Sequence, residues 1–344
     1  MPRIAILGTG LIGTSIGLRL KATRTREPLE VVGFDRYRDH AQGAERAKAV
    51  DRAVRDPLEA VRGAGLVILA VPILAIRDLM EEIARALEPG VVITDTGSTK
   101  AEVMRWAREL LPDTASFVGG HPMAGKTESG PGAAAATLFE RARWAIVPSQ
   151  EAAEDAVDVV TGLAYMMGAQ PMFMDAEEHD AYVASISHLP MMAATALFRL
   201  TRDSEAWPEL SALAAGGFRD TTRLAGTDPA MAHDIAITNR TQIIHWMERY
   251  REALRSLQQQ IADTEDEQEL FRLFARTSLE HAAFMSGAVG RKEIDEKHWE
   301  AVPDSAMMDL LMGGTLAERA REMSKRAEER IAESERRVRF GDRA

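Results

Sequence analysis

The 344-residue chain contains no cysteine. Disulfide bridges, thiolate metal sites and a cysteine nucleophile are therefore excluded. The sequence also lacks a run of about 18 apolar residues, so we expect no transmembrane helix. It begins with Met1-Pro2-Arg3-Ile4, which leads directly into a strand-like segment rather than a charged leader and a separate apolar region. We therefore expect no signal peptide and a cytoplasmic protein.

Positive charge is in deficit, with 42 Lys and Arg against 53 Asp and Glu and a net charge of −11. Such a chain repels nucleic acid and anionic membranes, and we expect neither as a partner. An anionic substrate would have to be bound by a few well-placed cations. Hydrophobic residues make up 46% of the sequence, enough for the cores of two folded domains.

The first 150 residues alternate short apolar runs with helical patterns. This alternation predicts an α/β fold, a Rossmann-type doubly wound parallel sheet that forms a nucleotide-binding domain over residues 1–150. The strand candidates are Arg3–Leu7, Leu29–Phe34, Leu66–Val71, Val91–Thr94, Ser116–Gly119 and Ala145–Pro148.

Strand signals stop after Gln150, and residues 151–290 are typical of an all-helical domain. We expect its helices to be interrupted near Gly168–Pro171, Leu189-Pro190, Trp207-Pro208 and Asp228-Pro229. Residues 291–344 form a charged extension, interpreted as a solvated helix with ion pairs or, alternatively, as an arm that binds a partner.

A glycine-rich segment, Gly8-Thr9-Gly10-Leu11-Ile12-Gly13, follows the first strand and opens a helix. Gly8 allows a tight turn, Gly10 allows close approach of a pyrophosphate, and Gly13 lets the helix lie close to the sheet. Asp35 ends the next strand candidate, at the spacing expected of an acid that binds the adenosine ribose, which favours NAD. The neighbouring Arg36 could pair with a 2′-phosphate, which leaves NADP as the alternative. The cofactor-binding residues predicted are Gly8, Gly10, Leu11, Ile12, Gly13, Asp35, Val71, Pro72 and Ser98.

The candidate catalytic base is His121, which lies between glycines and a proline in Gly119–Gly125. Histidine titrates near neutral pH, so it can take a proton from an alcohol while a hydride leaves the same carbon. Ser98, after the fourth strand candidate, could bond a substrate hydroxyl or orient His121; alternatively, Ser98 or Thr99 caps the helix that starts near Lys100.

The helical region carries further polar candidates. His188 precedes Pro190, and Gly216-Gly217 leads a segment with Arg219 and Arg223, whose guanidinium groups suit a carboxylate. His188 alone has a packing role as its default interpretation, and Asn239 is as easily structural as functional.

Together these motifs resemble the prephenate/arogenate dehydrogenase family. The segments that carry the resemblance are Gly8–Gly13, Asp95–Lys100, His121–Gly125, His179-Asp180, Ser187–Pro190, Gly216–Arg223, Asp228-Pro229 and Asn239. The resemblance implies that prephenate is oxidised by NAD with loss of CO2, without a metal, and that the helical domains form a homodimer.

The resemblance also implies residue roles. His121 is the base, Ser98 its hydrogen-bonding partner, and His188 a second polar contact near substrate and nicotinamide. Arg223 binds the substrate carboxylate, and Gly216 and Gly217 reach the neighbouring subunit's site.

Three alternatives stay open at this point. The first is arogenate as the substrate, giving tyrosine directly. The second is a β-hydroxyacid dehydrogenase, which would need a lysine in the helical domain, whereas residues 151–290 contain none. The third is a protein that senses NAD without catalysis.

Overall fold

The computed structural model describes residues 2–23, 28–125, 128–262 and 267–287. Within these ranges the strands are β1 (Arg3–Leu7), β2 (Glu30–Phe34), β3 (Arg52–Val54), β4 (Leu66–Leu69), β5 (Val92–Asp95), β6 (Ser116–Pro122), β7 (Arg143–Pro148) and β8 (Gln170–Phe173). The predicted extension, residues 291–344, lies outside the described residues.

The first group of helices alternates with these strands: α1 (Leu11–Ala22), α2 (Arg38–Arg46), α3 (Pro57–Val61), α4 (Ile73–Ile83), α5 (Ala101–Leu110) and α6 (Glu154–Met166). The later helices are α7 (Ala176–Val183), α8 (Leu189–Arg202), α9 (Trp207–Leu213), α10 (Gly216–Thr222), α11 (Pro229–Thr238), α12 (Arg240–Ala262) and α13 (Glu267–Met285). The chain up to Tyr250 forms one compact unit, and the chain from Arg251 onward belongs to a second.

The strands form a single sheet in the order β3-β2-β1-β4-β5-β6-β7-β8. All pairs from β3 to β6 are parallel. The chain adds β2 and β3 on one side of β1 and then crosses over to add β4, β5 and β6 on its other side, so the strand order reverses between β1 and β4. Ligands bind outside the carboxyl ends of the strands at such a reversal. The predicted fold class, a Rossmann-type sheet followed by helices, is confirmed.

Buried apolar side chains cover both faces of the sheet. One face packs against α1, α2 and α6 through side chains such as Ile16 and Val160. The other packs against α3, α4 and α5, and this core continues into the later helices through Met191 and Ile235. Helices α7, α8 and α11 are thus anchored to the α4 and α5 face of the sheet through Ala176, Met191 and Ile235, and the candidate site is built on this face.

Two edge strands and one strand direction differ from the sequence predictions. The prediction that strands stop after Gln150 is wrong, because β8 pairs with β7 and places Pro171 opposite Trp144. An edge strand tolerates a proline, and the three-residue β3 forms the other edge. In addition, β7 runs antiparallel to β6. The described part of the connection between β6 and β7 contains only a short 3-10 turn, Pro131–Ala133, whereas a parallel pair needs a longer crossover.

The predicted interruption at Leu189-Pro190 is not observed. The chain continues as helix from Ala176 to Arg202, with a π-helical turn at Ala184–His188 between α7 and α8. Pro190 lies in the first turn of α8, where the wider π turn accommodates its missing N–H. The other predicted breaks hold: Asp228 caps α11, and Pro229 is its first residue.

By length and composition, this run from Ala176 to Arg202 is long and apolar enough to qualify as a membrane-spanning candidate. It nevertheless contains the buried side chains of His179, Asp180 and His188, each with hydrogen-bonding partners in the sheet domain or neighbouring helices. We therefore interpret the run from Ala176 to Arg202 as a helix that packs against the sheet and its neighbouring helices, not as a membrane span.

Candidate active site

The glycine-rich loop has the backbone geometry that its sequence predicts. Gly8 has a φ of +96°, and a Cβ there would lie 2.3 Å from the carbonyl oxygen of Ala70. A Cβ on Gly13 would lie 1.9 Å from the carbonyl oxygen of Gly8, whereas a Cβ on Gly10 would meet nothing within 4 Å. Only glycine fits at positions 8 and 13, and the backbone at Gly10 is open to a ligand at the start of α1.

Asp35 lies directly beyond β2, beside this loop. Its carboxylate accepts hydrogen bonds from the backbone N–H groups of Thr9 (2.7 Å) and Tyr37 (2.8 Å). Arg36 is exposed. Val71 is also adjacent, since a Cβ on Gly8 would lie 2.6 Å from its Cγ1, and Pro72 precedes α4. The structure thus gathers these predicted cofactor residues, with Leu11 and Ile12 at the start of α1, along the carboxyl edge of the sheet.

A buried ion pair holds the segment after β5 against β6. The ammonium of Lys100 contacts the carboxylate of Asp95, and both side chains are completely buried. Asp95 also accepts hydrogen bonds from the N–H groups of Gly97 (2.7 Å) and Gly120 (3.1 Å). Removing one partner of such a pair would leave an uncompensated buried charge, so this pair fixes the position of the segment next to His121.

Ser98 lies in that segment and is half-buried. The alternative that Ser98 or Thr99 caps α5 is wrong: the Thr99 hydroxyl bonds Thr238 Oγ1 at 2.8 Å, and the cap is the carboxylate of Asp180. Within the described residues Ser98 makes no hydrogen bond to His121, and its predicted role as the residue that orients this histidine has no support in this geometry.

His121 lies within β6, paired with Ala145 of β7, rather than in a turn after the strand. The side chain is only 9% exposed. Its Nδ1 is 2.9 Å from Nε2 of His179, whose Nδ1 is 2.8 Å from Oδ1 of Asp180. These three side chains come from β6 and α7, and they form one continuous buried chain.

The surroundings of His121 disfavour its charged form. Burial lowers the pKa of His121 well below 6.5, and the nearby His179, Lys100 and His188 lower it further. The imidazole is therefore neutral at physiological pH and able to accept a proton.

His188 ends the π turn and is 1% exposed. Asn239 Nδ2 lies 2.8 Å from the carbonyl oxygen of Asp180 and 3.2 Å from Nδ1 of His188, so it donates to both. Burial lowers the pKa of His188 to about 4, even though Asp180 opposes this shift. A neutral His188 that accepts at Nδ1 carries its hydrogen on Nε2. That Nε2 is buried without a partner among the described residues, so it is a donor that a ligand can satisfy.

The predicted carboxylate-binding residue, Arg223, makes no hydrogen bond or ion pair with this cluster in the described part of the chain. Gly216 and Gly217 open α10, and a Cβ on either would meet nothing within 4 Å. Arg223 follows α10, is exposed, and makes no hydrogen bond or ion pair with the other described residues. The structure of one chain brings together His121 and His188 with the segment that contains Ser98, and it leaves the Gly216–Arg223 segment on the surface.

His179-Asp180 and Lys100 lie within motifs of the sequence, but their residue types and spacing assign them no role. The sequence carries no signal of their burial; His179 and Asp180 are 1% and 3% exposed in the structure, and such buried polar groups need partners. What the sequence could not give was the partner, because His121 is 58 positions away.

A glycine loop of the dinucleotide-binding type after β1 and a buried neutral histidine on β6 of the same sheet are the arrangement of a dehydrogenase of the Rossmann class. Two family models match the chain: the nucleotide-binding domain of prephenate dehydrogenase over residues 16–172 and its dimerization domain over residues 175–276. The chain belongs to the prephenate dehydrogenase family.

Individual relatives agree. The prephenate dehydrogenase of Bacillus subtilis is 36% identical over 275 residues, which are 79% of this chain and 73% of that protein. The crystal structure of prephenate dehydrogenase from Aquifex aeolicus with hydroxyphenyl propionate and NAD+ is similar with a TM-score of 0.76 at 25% identity, over 83% of this chain and 98% of that one. Arogenate dehydrogenase from Synechocystis has a TM-score of 0.69 at 27% identity, over 82% of this chain and 99% of that one.

Proposed function

We propose that this chain catalyses the NAD-dependent oxidative decarboxylation of prephenate to 4-hydroxyphenylpyruvate, CO2 and NADH, a step in tyrosine biosynthesis. The observation that carries the proposal is His121, a neutral buried histidine on the cofactor side of the sheet whose Nε2 has no partner among the described residues. Membership in the prephenate dehydrogenase family supports the choice of substrate.

The glycine loop fits NAD. The open backbone at Gly10 leaves room for a pyrophosphate next to the first N–H groups of α1, and no side chain in the described part of the chain caps that helix. Asp35 keeps carboxylate lone pairs available for ribose hydroxyls beside the loop, and its charge repels a 2′-phosphate. When bound, NAD supplies the acceptor for the hydride.

His121 then acts as a general base. Its Nε2 accepts the proton of the ring hydroxyl as that carbon gives up its hydride, and the ring carboxylate leaves as CO2 with its bonding electrons retained by the ring. The product ring is aromatic, and the proton held by His121 can return to the phenolate oxygen. No further redox partner is required.

His188 and Ser98 contribute polar contacts to the substrate or nicotinamide in this proposal. The Nε2–H of His188 is a fixed donor because Asn239 occupies Nδ1. Ser98 is half-buried after β5 and has a hydroxyl that a substrate oxygen could bond. Both groups orient the substrate rather than exchange its proton.

Arg223 is proposed to bind a substrate carboxylate in a homodimer. Its guanidinium is exposed and makes no ion pair with the other described residues, which suits a ligand or a neighbouring subunit. Exposed apolar side chains on the later helices favour association, and among them are Ile186, Leu200, Leu213, Ile237 and Ile244. The family model that matches this region is a dimerization domain. In such a dimer Gly216 and Gly217 would approach the neighbouring site.

One assay tests the function and separates the alternatives. Purified protein with NAD should form NADH and 4-hydroxyphenylpyruvate from prephenate. Faster formation of tyrosine from arogenate would favour arogenate dehydrogenase activity, an alternative that the similarity to Synechocystis arogenate dehydrogenase supports. NAD binding without turnover of either substrate would refute catalysis. The predicted cytoplasmic location stays a prediction.

A further inference from the structure

We propose that His179 and Asp180 are positioning residues that fix the tautomer of His121, holding its hydrogen on Nδ1 and leaving the lone pair of Nε2 for the substrate. This inference rests on the proposed function, in which His121 is the base. Its evidence is the buried chain of hydrogen bonds that links the three side chains.

The direction of each hydrogen bond follows from the acceptor at the end of the chain. A carboxylate can only accept, so Nδ1 of His179, at 2.8 Å from Oδ1 of Asp180, carries a hydrogen. We take His179 as a neutral imidazole whose single N–H is this one, so that its Nε2 is an acceptor. At 2.9 Å from that nitrogen, Nδ1 of His121 must donate. The remaining nitrogen of His121, Nε2, is left unprotonated.

Asp180 is itself held so that it cannot turn away. Its Oδ1 also accepts from the N–H of Lys100 (2.7 Å), and its Oδ2 accepts from the N–H of Ala101 (3.0 Å). The carboxylate thereby caps α5 and complements its helix dipole. The same contacts join α7 to the segment that carries Ser98. Asp180 therefore holds both this segment and, through His179, the position of His121.

The alternative tautomer would disable the base. If His179 donated from Nε2 to His121, then Nδ1 of His121 would accept and its Nε2 would carry the hydrogen. The titratable groups that face His121 are His179 from α7, His188 from the π turn and Lys100 before α5. All of these oppose protonation of His121, whereas Asp180, two hydrogen bonds away, is the anion that can offset the imidazolium formed during the reaction.

The direct test is the tautomeric state of His121, read by long-range 1H–15N NMR of the imidazole rings, with His121→Asn used for assignment. In the wild-type protein we expect the Nδ1–H form. His179→Phe keeps a ring but removes the acceptor, so His121 should lose its single tautomer. His179→Gln keeps an oxygen to accept from His121 and an amide to donate to Asp180.

Kinetics provide the second readout. His179→Phe should lower kcat for prephenate by about ten- to hundredfold, while KM for prephenate and Kd for NAD change by less than about threefold. His179→Gln should recover most of that loss, which a purely structural role would not predict. His281→Phe on α13, an exposed histidine, is the matched control and should keep wild-type kcat.

The proposal is overturned if wild-type His121 carries its hydrogen on Nε2, or if His179→Phe keeps wild-type kcat. Should His179→Phe fail to fold, the wild-type tautomer and the kcat of His179→Gln still decide. Failure of the proposed function looks different: the wild-type protein would not reduce NAD with prephenate, whereas the tautomer of His121 would be unaffected.

Discussion

Replacing His121 with asparagine removes the base while leaving the rest of the site assembled. Asparagine is smaller than histidine, and its amide can still donate to Nε2 of His179, but it cannot accept a proton at neutral pH. The glycine loop and Asp35 are held by hydrogen bonds of their own, so the NAD site should persist. The effect should therefore fall on kcat rather than on binding.

The expected loss in kcat is roughly 10²- to 10⁴-fold, the range for a general base. This corresponds to about 3 to 5 kcal/mol of transition-state stabilisation. KM for prephenate and for NAD should change little, because the lost interaction develops only in the transition state.

The pH profile supplies an independent check. Because the pKa of His121 lies well below 6.5, the wild-type enzyme should keep its neutral base through physiological pH and lose activity only when the pH falls well below 6.5. His121→Asn should lack that acid limb. Steady-state assays of NADH formation across pH measure both effects, with His281→Asn as the control for loss of an exposed histidine.

A well-folded His121→Asn enzyme with near-wild-type kcat and an unchanged acid limb would refute the role of His121 as the general base. The base would then lie elsewhere, and His188 would be the next residue to test. An acid limb that persists in His121→Asn and is lost in His188→Gln would point to that residue directly.

Three further predictions concern cofactor choice, substrate binding and stability. Wild-type kcat/KM should be at least about tenfold higher with NAD than with NADP, because Asp35 repels a 2′-phosphate, and Asp35→Ser should narrow the gap; equal use of both cofactors by the wild type would contradict this. Arg223→Ala should weaken prephenate binding by about 1.5 to 3 kcal/mol with NAD affinity unchanged, and an unchanged KM would make Arg219 the candidate instead. The pKa of His188 is about 4 in the folded chain against 6.5 for the free group, so the unfolded chain binds the proton more tightly and stability is lost as the pH falls. Because of this histidine, the free energy of unfolding should fall by about 2 kcal/mol as the pH is lowered from about 7.5 to 5, measured by urea titration at each pH. His188→Gln should make the free energy of unfolding less dependent on pH over this range.

The local features of the nucleotide site were readable from the sequence. Gly8 and Gly13 are specified by backbone sterics that involve neighbours close in the chain or in the next strand, and Asp35 follows its strand at a fixed spacing. Such constraints act within one βαβ unit, so a pattern of residues is enough to predict them.

Strand direction and edge pairing needed the tertiary structure. An apolar run has the same pattern whether it pairs parallel or antiparallel, so β7 could not be oriented from its residues. The half-exposed β8 carries a proline and lacks a clear strand signal, and it becomes a strand only because the edge of β7 is available to it.

The sequence by itself determined which residue is the candidate base and which loop is the candidate dinucleotide site. Only the tertiary structure decided what controls that base. His179 contacts His121 across 58 positions of sequence, and Asp180 accepts from the N–H of Lys100 across 80 positions, because a buried polar group needs a partner that the fold brings to it. No periodicity in a sequence encodes such partners, since they depend on how β6, α5 and α7 meet in space.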